Sequence, residues 1–412
     1  MTHLVPVLRP VLGSPFRRAG LYRAAGEIPS WHIAPVRTGT VTDLITGSQI
    51  ITFTNSSPAW GFNSSGVLVQ PTANVPFIEY DPATGTCLGW RVWDAVTNLL
   101  TYSNDFTQTA WAKIVGGTGT TPVVTSNYAL SPDGTMNATR LQCNRGASST
   151  SSDSSYIQQA ISGLPSTHTT ATSIWIRSNT GSSQNVYFRN ATGAGGTSFV
   201  ATNTWQRVST IGTRTGNTAD NLQIGCRQAN SDSSIDILIY GSQIQQSDQL
   251  GPYVPTGALT ASSTADVASI LSWAAANNIR SAYIRGRTTA TGTRGLLSGN
   301  DNSSSNRIEA ITSGTDPRLQ VTTSGSSVAD IDGGTVVANT PFRMAMRFAA
   351  NDFAVSVNGG AVVTDTSGGL PTIDRWFLGR TQAGEYGNCY IDEMALFTGL
   401  ISDSRLTAMA AQ

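Results

Sequence analysis

The run SIWIRSNTGSSQNVYFRN, residues 173–190, decides how this chain is read. SIWIRS (173–178) and NVYFRN (185–190) are apolar or alternating at strand length, and the residues between them are turn formers. β-Branched and aromatic side chains suit a pleated surface, whereas Gly, Ser and Asn supply sharp backbone reversals. No 3.6-residue period is present. The same grammar extends in both directions. QIITFT (49–54), GVLVQ (66–70) and VPFIEY (75–80) precede it; WQRVST (205–210), SIDILIYGSQI (234–244), RSAYIRGR (280–287) and FRMAMRFA (342–349) follow. Strands recurring at short intervals without helices between them predict an all-β chain of antiparallel jelly-roll sandwiches.

Length and composition bound the rest. A chain of 412 residues is too long for one ordinary core. Charged residues make up 12%, against roughly 25% in an average soluble protein. Ser, Thr, Asn and Gly replace them, which predicts a neutral surface rich in hydroxyls and amides. Lys+Arg and Asp+Glu both number 25, so a basic footprint for a phosphate backbone is absent and nucleic-acid binding is not expected. Cys87, Cys143, Cys226 and Cys389 are scattered without a CxxC pair and read as isolated, mostly buried thiols. The opening MTHLVPVLRPVLGSPF is broken by prolines before any secretory core forms, and no window approaches the ~18 apolar residues of a membrane span.

Four regions are expected. Residues 1–40 carry prolines at 6, 10, 15, 29 and 35 and read as an extended arm that lies against another protein. Residues 41–97 form a β-rich junction, 98–256 a first sandwich and 257–412 a second. Within the last region TADVASILSWAAANN (264–278) is the one good helix candidate, with Thr264 as cap and Val267, Ile270, Leu271 and Ala274 on one face. A strand there is also compatible with the pattern.

Several of these segments carry a resemblance. Gly66, Asn74, Val75, Pro76, Tyr80, Asp81, Pro82, Gly85 and Gly89, then Thr97-Asn98-Leu99-Leu100, Tyr102, Ser103, Asp105, Phe106 and Trp111, resemble a segment of tailed-phage or gene-transfer-particle structural proteins that precedes a carbohydrate-binding-like sandwich. Phe77 stands where that pattern has arginine, and WRVWDA (90–95) replaces its apolar-acidic stretch. WQRVS (205–209) and YGSQIQQSDQLGPYVPT (240–256) are similar to the strand and closing segment of the same module. FAVSVNGG (353–360), WFLGR (376–380) and GEYGNCYIDEMALFTGLISDSRL (384–406) resemble the concanavalin A-like or laminin G-like jelly roll and its final short helix. The resemblance implies a fibre, spike or decoration protein on the head or tail exterior of a virion, assembled in the bacterial cytoplasm. It would be held to other virion proteins through residues 1–97, be homo-oligomeric, and face host surface polysaccharide.

Candidate chemistry is sparse. Glu309, Asp330, Asp332, Asp374, Glu385, Asp392 and Glu393 supply carboxylates, but Asp392 and Glu393 are strand neighbours that point to opposite faces. His3 and His32 lie in the arm and His168 in a polar loop, so histidine catalysis is not expected, and the chain reads as non-enzymatic. Glycan binding by stacking on an exposed ring is the favoured activity, with Trp111, Tyr128 and Tyr386 as platforms and Asn300 and Asp301 as polar partners. Trp205 and Trp376 begin apolar strands and read as core. Asp301, Asp330 and Asp332 sit in oxygen-rich turns able to hold Ca²⁺. The alternatives are a capsule-polysaccharide depolymerase and a spacer with no ligand.

Overall fold

A computed structural model of the chain describes residues 19–147, 150, 152–190, 197–227, 231–271 and 273–412. They form two compact units, one of Phe53–Ala268 and the other of Ser269–Gln412 joined by the residues up to Thr52. Both are antiparallel β-sandwiches, as the strand grammar predicts.

The first unit has ten principal strands: β1 (Ala112–Gly116), β2 (Thr120–Ala129), β3 (Ala138–Asn144), β4 (Ser154–Ser162), β5 (Thr167–Ser178), β6 (Gln184–Asn190), β7 (Thr197–Ala201), β8 (Gln206–Thr215), β9 (Ala219–Arg227) and β10 (Ser234–Gln246). One sheet runs β8-β5-β10-β3-β2 and the other β7-β6-β9-β4-β1. The run 173–190 therefore steps from one sheet to the other across its turn. Alternation builds the core: Leu141, Ile174, Ile176, Ile235, Ile237 and Ile239 of the first sheet meet Ile157, Val186, Phe188, Leu222 and Ile224 of the second. Each such side chain contributes roughly 1.5–3 kcal/mol through burial. Cys143 and Cys226 belong to this core, and the Cys226 thiol donates to the Cys143 carbonyl at 3.7 Å, so these two are neighbours rather than isolated.

The two ends of the module are tied by one side chain. Asn98 is fully buried; its Nδ2 donates to the carbonyls of Ser242 (3.0 Å) and Val254 (2.9 Å). Its Oδ1 accepts the amides of Leu100 (3.2 Å) and Ile244 (3.3 Å). Beside it Ser103 and Asn104 bond the Tyr253 hydroxyl, both at 2.7 Å. Gly241 lies at φ 61°, and a Cβ there would stand 2.6 Å from the Trp175 ring, so only glycine fits this point of β10.

Residues 53–97 belong to this unit rather than forming a separate junction. Leu68, with Trp60 and Phe62, packs on Trp175, Tyr240 and Tyr253. Trp175 and Tyr240 occupy the outward positions between inward isoleucines, so residues 60–68 cap part of the outer face of the first sheet.

The second unit comprises β11 (Ser281–Thr288), β12 (Arg294–Asn300), β13 (Arg307–Ser313), β14 (Asp316–Thr323), β15 (Ser326–Asp332), β16 (Phe342–Ala349), β17 (Asp352–Val357), β18 (Val363–Asp365), β19 (Arg375–Leu378) and β20 (Cys389–Phe397). Within the unit, the orders are β18-β17-β16-β11-β20 and β19-β12-β13-β14-β15. Small residues flatten the outer face of the first of these sheets: Ala345, Ala354 and Ala395, beside Tyr283 and Phe397. Helices α1 (Ala19–Ala25) and α3 (Asp403–Ala410) cover it through Leu21, Ala25, Leu406, Met409 and Ala410.

This placement overturns the extended-arm reading for residues 19–40. Gly26, at φ 77°, returns its amide to the Tyr22 carbonyl and ends α1. The short strand Trp31–Ile33 then pairs antiparallel with β20, and Pro35 opens a single helical turn, α2 (Pro35–Thr38). The prolines punctuate ordered elements instead of preventing them. Residues 1–18 of the expected arm lie outside the described residues.

The helix expected at 264–278 is also corrected. Val267–Ile270 is a strand, followed by a 3-10 turn at Ala276–Asn278. Hydrogen bonds hold the preceding backbone extended: Ser263 N to the Val96 carbonyl, Thr264 N to the Ser57 carbonyl, and Trp93 N to Oδ2 of Asp266. Helix propensity is a weak preference that such tertiary pairing overrides.

Two substitutions test these assignments by urea unfolding. Leu21→Ala should lower stability by about 2–4 kcal/mol, whereas a detachable arm would leave it within about 0.5 kcal/mol. Asn98→Ala orphans buried carbonyls and amides and should cost on the order of 3 kcal/mol.

Candidate functional site

Beyond the aromatic cap, the outer face of β2, β3 and β10 remains open and forms a groove of about 360 Å³. Its floor is a cross-strand row in which Val123 opposes Gln142 and Gln142 opposes Asp236; Asn144 similarly lies between Thr120 and Ser234. One wall is the turn between β5 and β6, with Thr180 and Gln184. Gln184 fixes that wall like an added strand residue: its amide donates to the Asp236 carbonyl (2.8 Å) and its Oε1 accepts the Asp236 amide (2.7 Å). The remaining lining is hydroxyl and amide from Thr121, Asn144 and Ser234, with Cys143 and Ile235 between them.

An ion pair links the floor to an aromatic ring on the same strands. Arg140 donates Nε to Oδ1 of Asp236 (2.8 Å) and Nη2 to Oδ2, and Asn179 adds a bond to Oδ1 at 3.1 Å. The Arg140 hydrogen bonds hold the Asp236 carboxyl below its usual range, against partial burial. The same guanidinium lies 4.9 Å from the centroid of the Tyr128 ring. Tyr128 is 41% exposed. Alongside, Arg177 stacks on Trp205 at 5.2 Å, and the Trp205 indole donates to the Leu130 carbonyl at 3.2 Å.

The other residues expected to contact glycan are placed elsewhere. Trp111 is 3% exposed, packed on Phe106 with its indole donating to the Tyr102 carbonyl, and is core. Asn300 is fully buried; its amide bonds Ser298 and its Oδ1 takes the Asn302 amide. Tyr386 is half-buried rather than exposed, because bridges to Gly295 and Arg380 pin its backbone and the Arg380 guanidinium lies 5.9 Å from its ring. Trp376 is buried, as its strand position predicts, and Trp205 is half-buried.

The calcium expectation is not supported. Asp301 directs its carboxylate into its own loop, onto Ser303 and Asn306. Asp330 pairs with Arg318 at 2.8 Å, and Asp332 accepts the Gly334 amide. Asp301 follows β12 while Asp330 and Asp332 lie on β15, three strand spacings away, or about 14 Å. Among the described residues no group of three acidic, histidine or cysteine side chains is placed to hold a metal.

No protein-family model matches the chain, and no curated protein matches it. Solved structures give partial likenesses. Domain 4 of AbnA, a GH43 extracellular arabinanase from Geobacillus stearothermophilus solved with arabinotriose, shares 16% identity over 35% of this chain and 73% of its own, with a TM-score of 0.30. The N-terminal CBM22 tandem domain of a Paenibacillus barcinonensis protein shares 10% over 74% of this chain and 99% of its own, TM-score 0.28. Mouse laminin α1 domains LG4-5 share 8% over 57% and 83%, TM-score 0.22. At these values the likenesses assign neither a family nor a function.

The clusters of titratable groups in the second unit serve the fold. His32 is nearly inaccessible: the Tyr22 hydroxyl lies 2.6 Å from its Nδ1, and Oε1 of Glu393 lies 2.8 Å from its Nε2. These contacts tie the N-terminal strand and α1 to β20. Burial alone would raise the Glu393 carboxyl, but the hydrogen bond and charge of His32, with Arg37, hold it below its usual range. Its contribution to stability is therefore lost only as pH falls below that range. Asp392, 4% exposed, behaves oppositely. Arg285 and Arg287 stand 3.5 and 4.0 Å away, too far for firm hydrogen bonds, and burial pushes its carboxyl up to about 6. The folded chain prefers Asp392 protonated, so stability falls as pH rises from about 4 through 6. Asp392→Asn should flatten that fall, which amounts to about 3 kcal/mol, in chemical denaturation measured across the pH range.

Proposed function

We propose that this protein is a non-enzymatic glycan-binding component of a virion, of a tailed phage or a phage-like particle, that attaches the particle to host surface polysaccharide. The observation that carries the binding half of this reading is the groove on the first sandwich. It sets a row of hydroxyl and amide side chains on rigid strands, and its Asp236 is bonded to Arg140, which lies against the exposed Tyr128 ring. A sugar offers an apolar face to stack on such a ring and a rim of hydroxyls to match such donors and acceptors. Among the described residues Gln142 makes no side-chain hydrogen bond, so its amide stands ready for a ligand.

The virion assignment rests on the resemblance carried by residues 66–111 and 240–256. Repetition of the site in a homo-oligomer would turn weak sugar contacts into firm attachment. The absence of catalysis is part of the proposal. Glycoside hydrolysis generally uses two carboxylates across the scissile bond. Asp236 is the one carboxylate among the groove residues, and Arg140 engages both of its oxygens.

Titration of the full chain with surface polysaccharides, read by calorimetry, tests the binding. Tyr128→Ala should weaken it by about 1–2 kcal/mol, five- to thirtyfold, without moving the urea midpoint, because the ring is exposed. Gln142→Ala should weaken it as well. Shortening of the polysaccharide during incubation would identify a depolymerase instead.

A further inference from the structure

We propose that the groove of the first sandwich selects uncharged sugar chains, and that Asp236 sets this selectivity by occupying Arg140. The inference rests on the glycan reading above and adds the class of glycan. Arginine is the side chain best shaped to grip a carboxylate, through two parallel N–H donors. A uronic or sialic acid entering the groove would find the Nε–Nη2 edge of Arg140, beside the groove, already filled by Asp236. The acid would instead meet an ion pair that offers its charge no net attraction. Arg140 hydrogen bonding keeps that carboxyl ionised and offsets its charge, and among the described residues no further charged side chain lines the groove. The surface left for contact includes Val123, Gln142, Thr121, Ser234 and Asn144, with the Tyr128 ring reached through Arg140. These groups recognise hydroxyls and the apolar faces of sugar rings.

Arg140 is accordingly a positioning residue. Asp236 anchors one edge of its guanidinium while the plane approaches the Tyr128 ring, so the ion pair orients the stacking platform without presenting net charge. The hydrogen bonds of Asn179 and Gln184 hold Asp236 in turn.

Asp236→Asn tests this. The amide keeps the size of the side chain and an oxygen for Arg140, but it leaves the guanidinium uncompensated. The full-length wild-type and variant chains are titrated with neutral dextran, laminarin and galactomannan and with acidic polygalacturonate and hyaluronate, at low and at high salt. The wild type should bind at least one neutral chain about tenfold or more tighter than either acidic one, with little salt dependence. The variant should gain about tenfold or more for the acidic chains, the gain disappearing at high salt. Asp236→Asn combined with Arg140→Gln should show no gain. If the wild type binds acidic and neutral chains equally, the selectivity proposal is overturned while glycan binding stands. Absence of binding to any of the five overturns the glycan reading itself. Should Asp236→Asn fail to fold by urea unfolding, the preference and salt response of the wild type decide the matter.

Discussion

The four hydrogen bonds of Asn98 are the constraint on which the first sandwich depends. A β-sandwich needs its first and last segments fixed, because neither has neighbours on both sides in sequence to hold it. Here one buried amide donates to the carbonyls of Ser242 and Val254 and accepts from Leu100 and Ile244, joining residues more than 140 positions apart. Its environment is dry, so each of those backbone groups would be orphaned without it. Gln243 completes the tie by accepting the Val254 amide and donating to the Pro252 carbonyl. Tyr253 thereby stays in the aromatic cluster with Trp175 and Tyr240.

That cluster determines where a ligand site can exist. Outward positions on a sheet alternate with core positions, and those of β5 and β10 are aromatic near one end and polar near the other. Trp175 and Tyr240 need cover, which residues 60–68 supply. Asp236, Gln142 and Val123 do not, and the chain leaves them open. Leu238, one step along from Asp236, is fully buried between these zones, opposite Arg140 and Arg177 in the two ladders. The groove is thus the uncapped remainder of a face whose other part is structural.

Much of this was legible in sequence where the signal is local. The strand-turn grammar of 173–190 gives all-β architecture, and the segments at 98–106 and 240–256 bracket a module whose ends prove to be bonded together. Tyr128 was recognisable as a candidate ring. Sequence does not separate it from Trp111, since both sit in short polar surroundings; the distinction comes from Phe106 and the Tyr102 carbonyl, which enclose the indole. Nor does any local pattern join Arg140 to Asp236, which lie 96 residues apart. The misreadings share a cause. At prolines 29 and 35 and along the alanine run near 275, intrinsic preference points away from the observed structure. The pairing of Trp31–Ile33 with β20 and the bonds to Trp93 and Val96 outweigh that preference.

The low charge content has a structural reading as well. Many of the charges this chain does carry are answered by a side chain close by: Glu79 by Arg91, Asp236 by Arg140, Glu309 by Arg307, Asp330 by Arg318, and Asp352 and Asp403 by Arg347. The more exposed of these, such as Asp330 with Arg318, add little stability individually, but they remove isolated charge from the surface. What remains outward among the described residues is rich in hydroxyls and amides, with scattered aliphatic side chains such as Leu259 and Val337 and the ring of Tyr128. Such a surface has weak long-range fields, so association with it depends on short-range fit and on the number of sites engaged together. The groove, whose one carboxylate is answered by Arg140 beside it, is the local expression of that design.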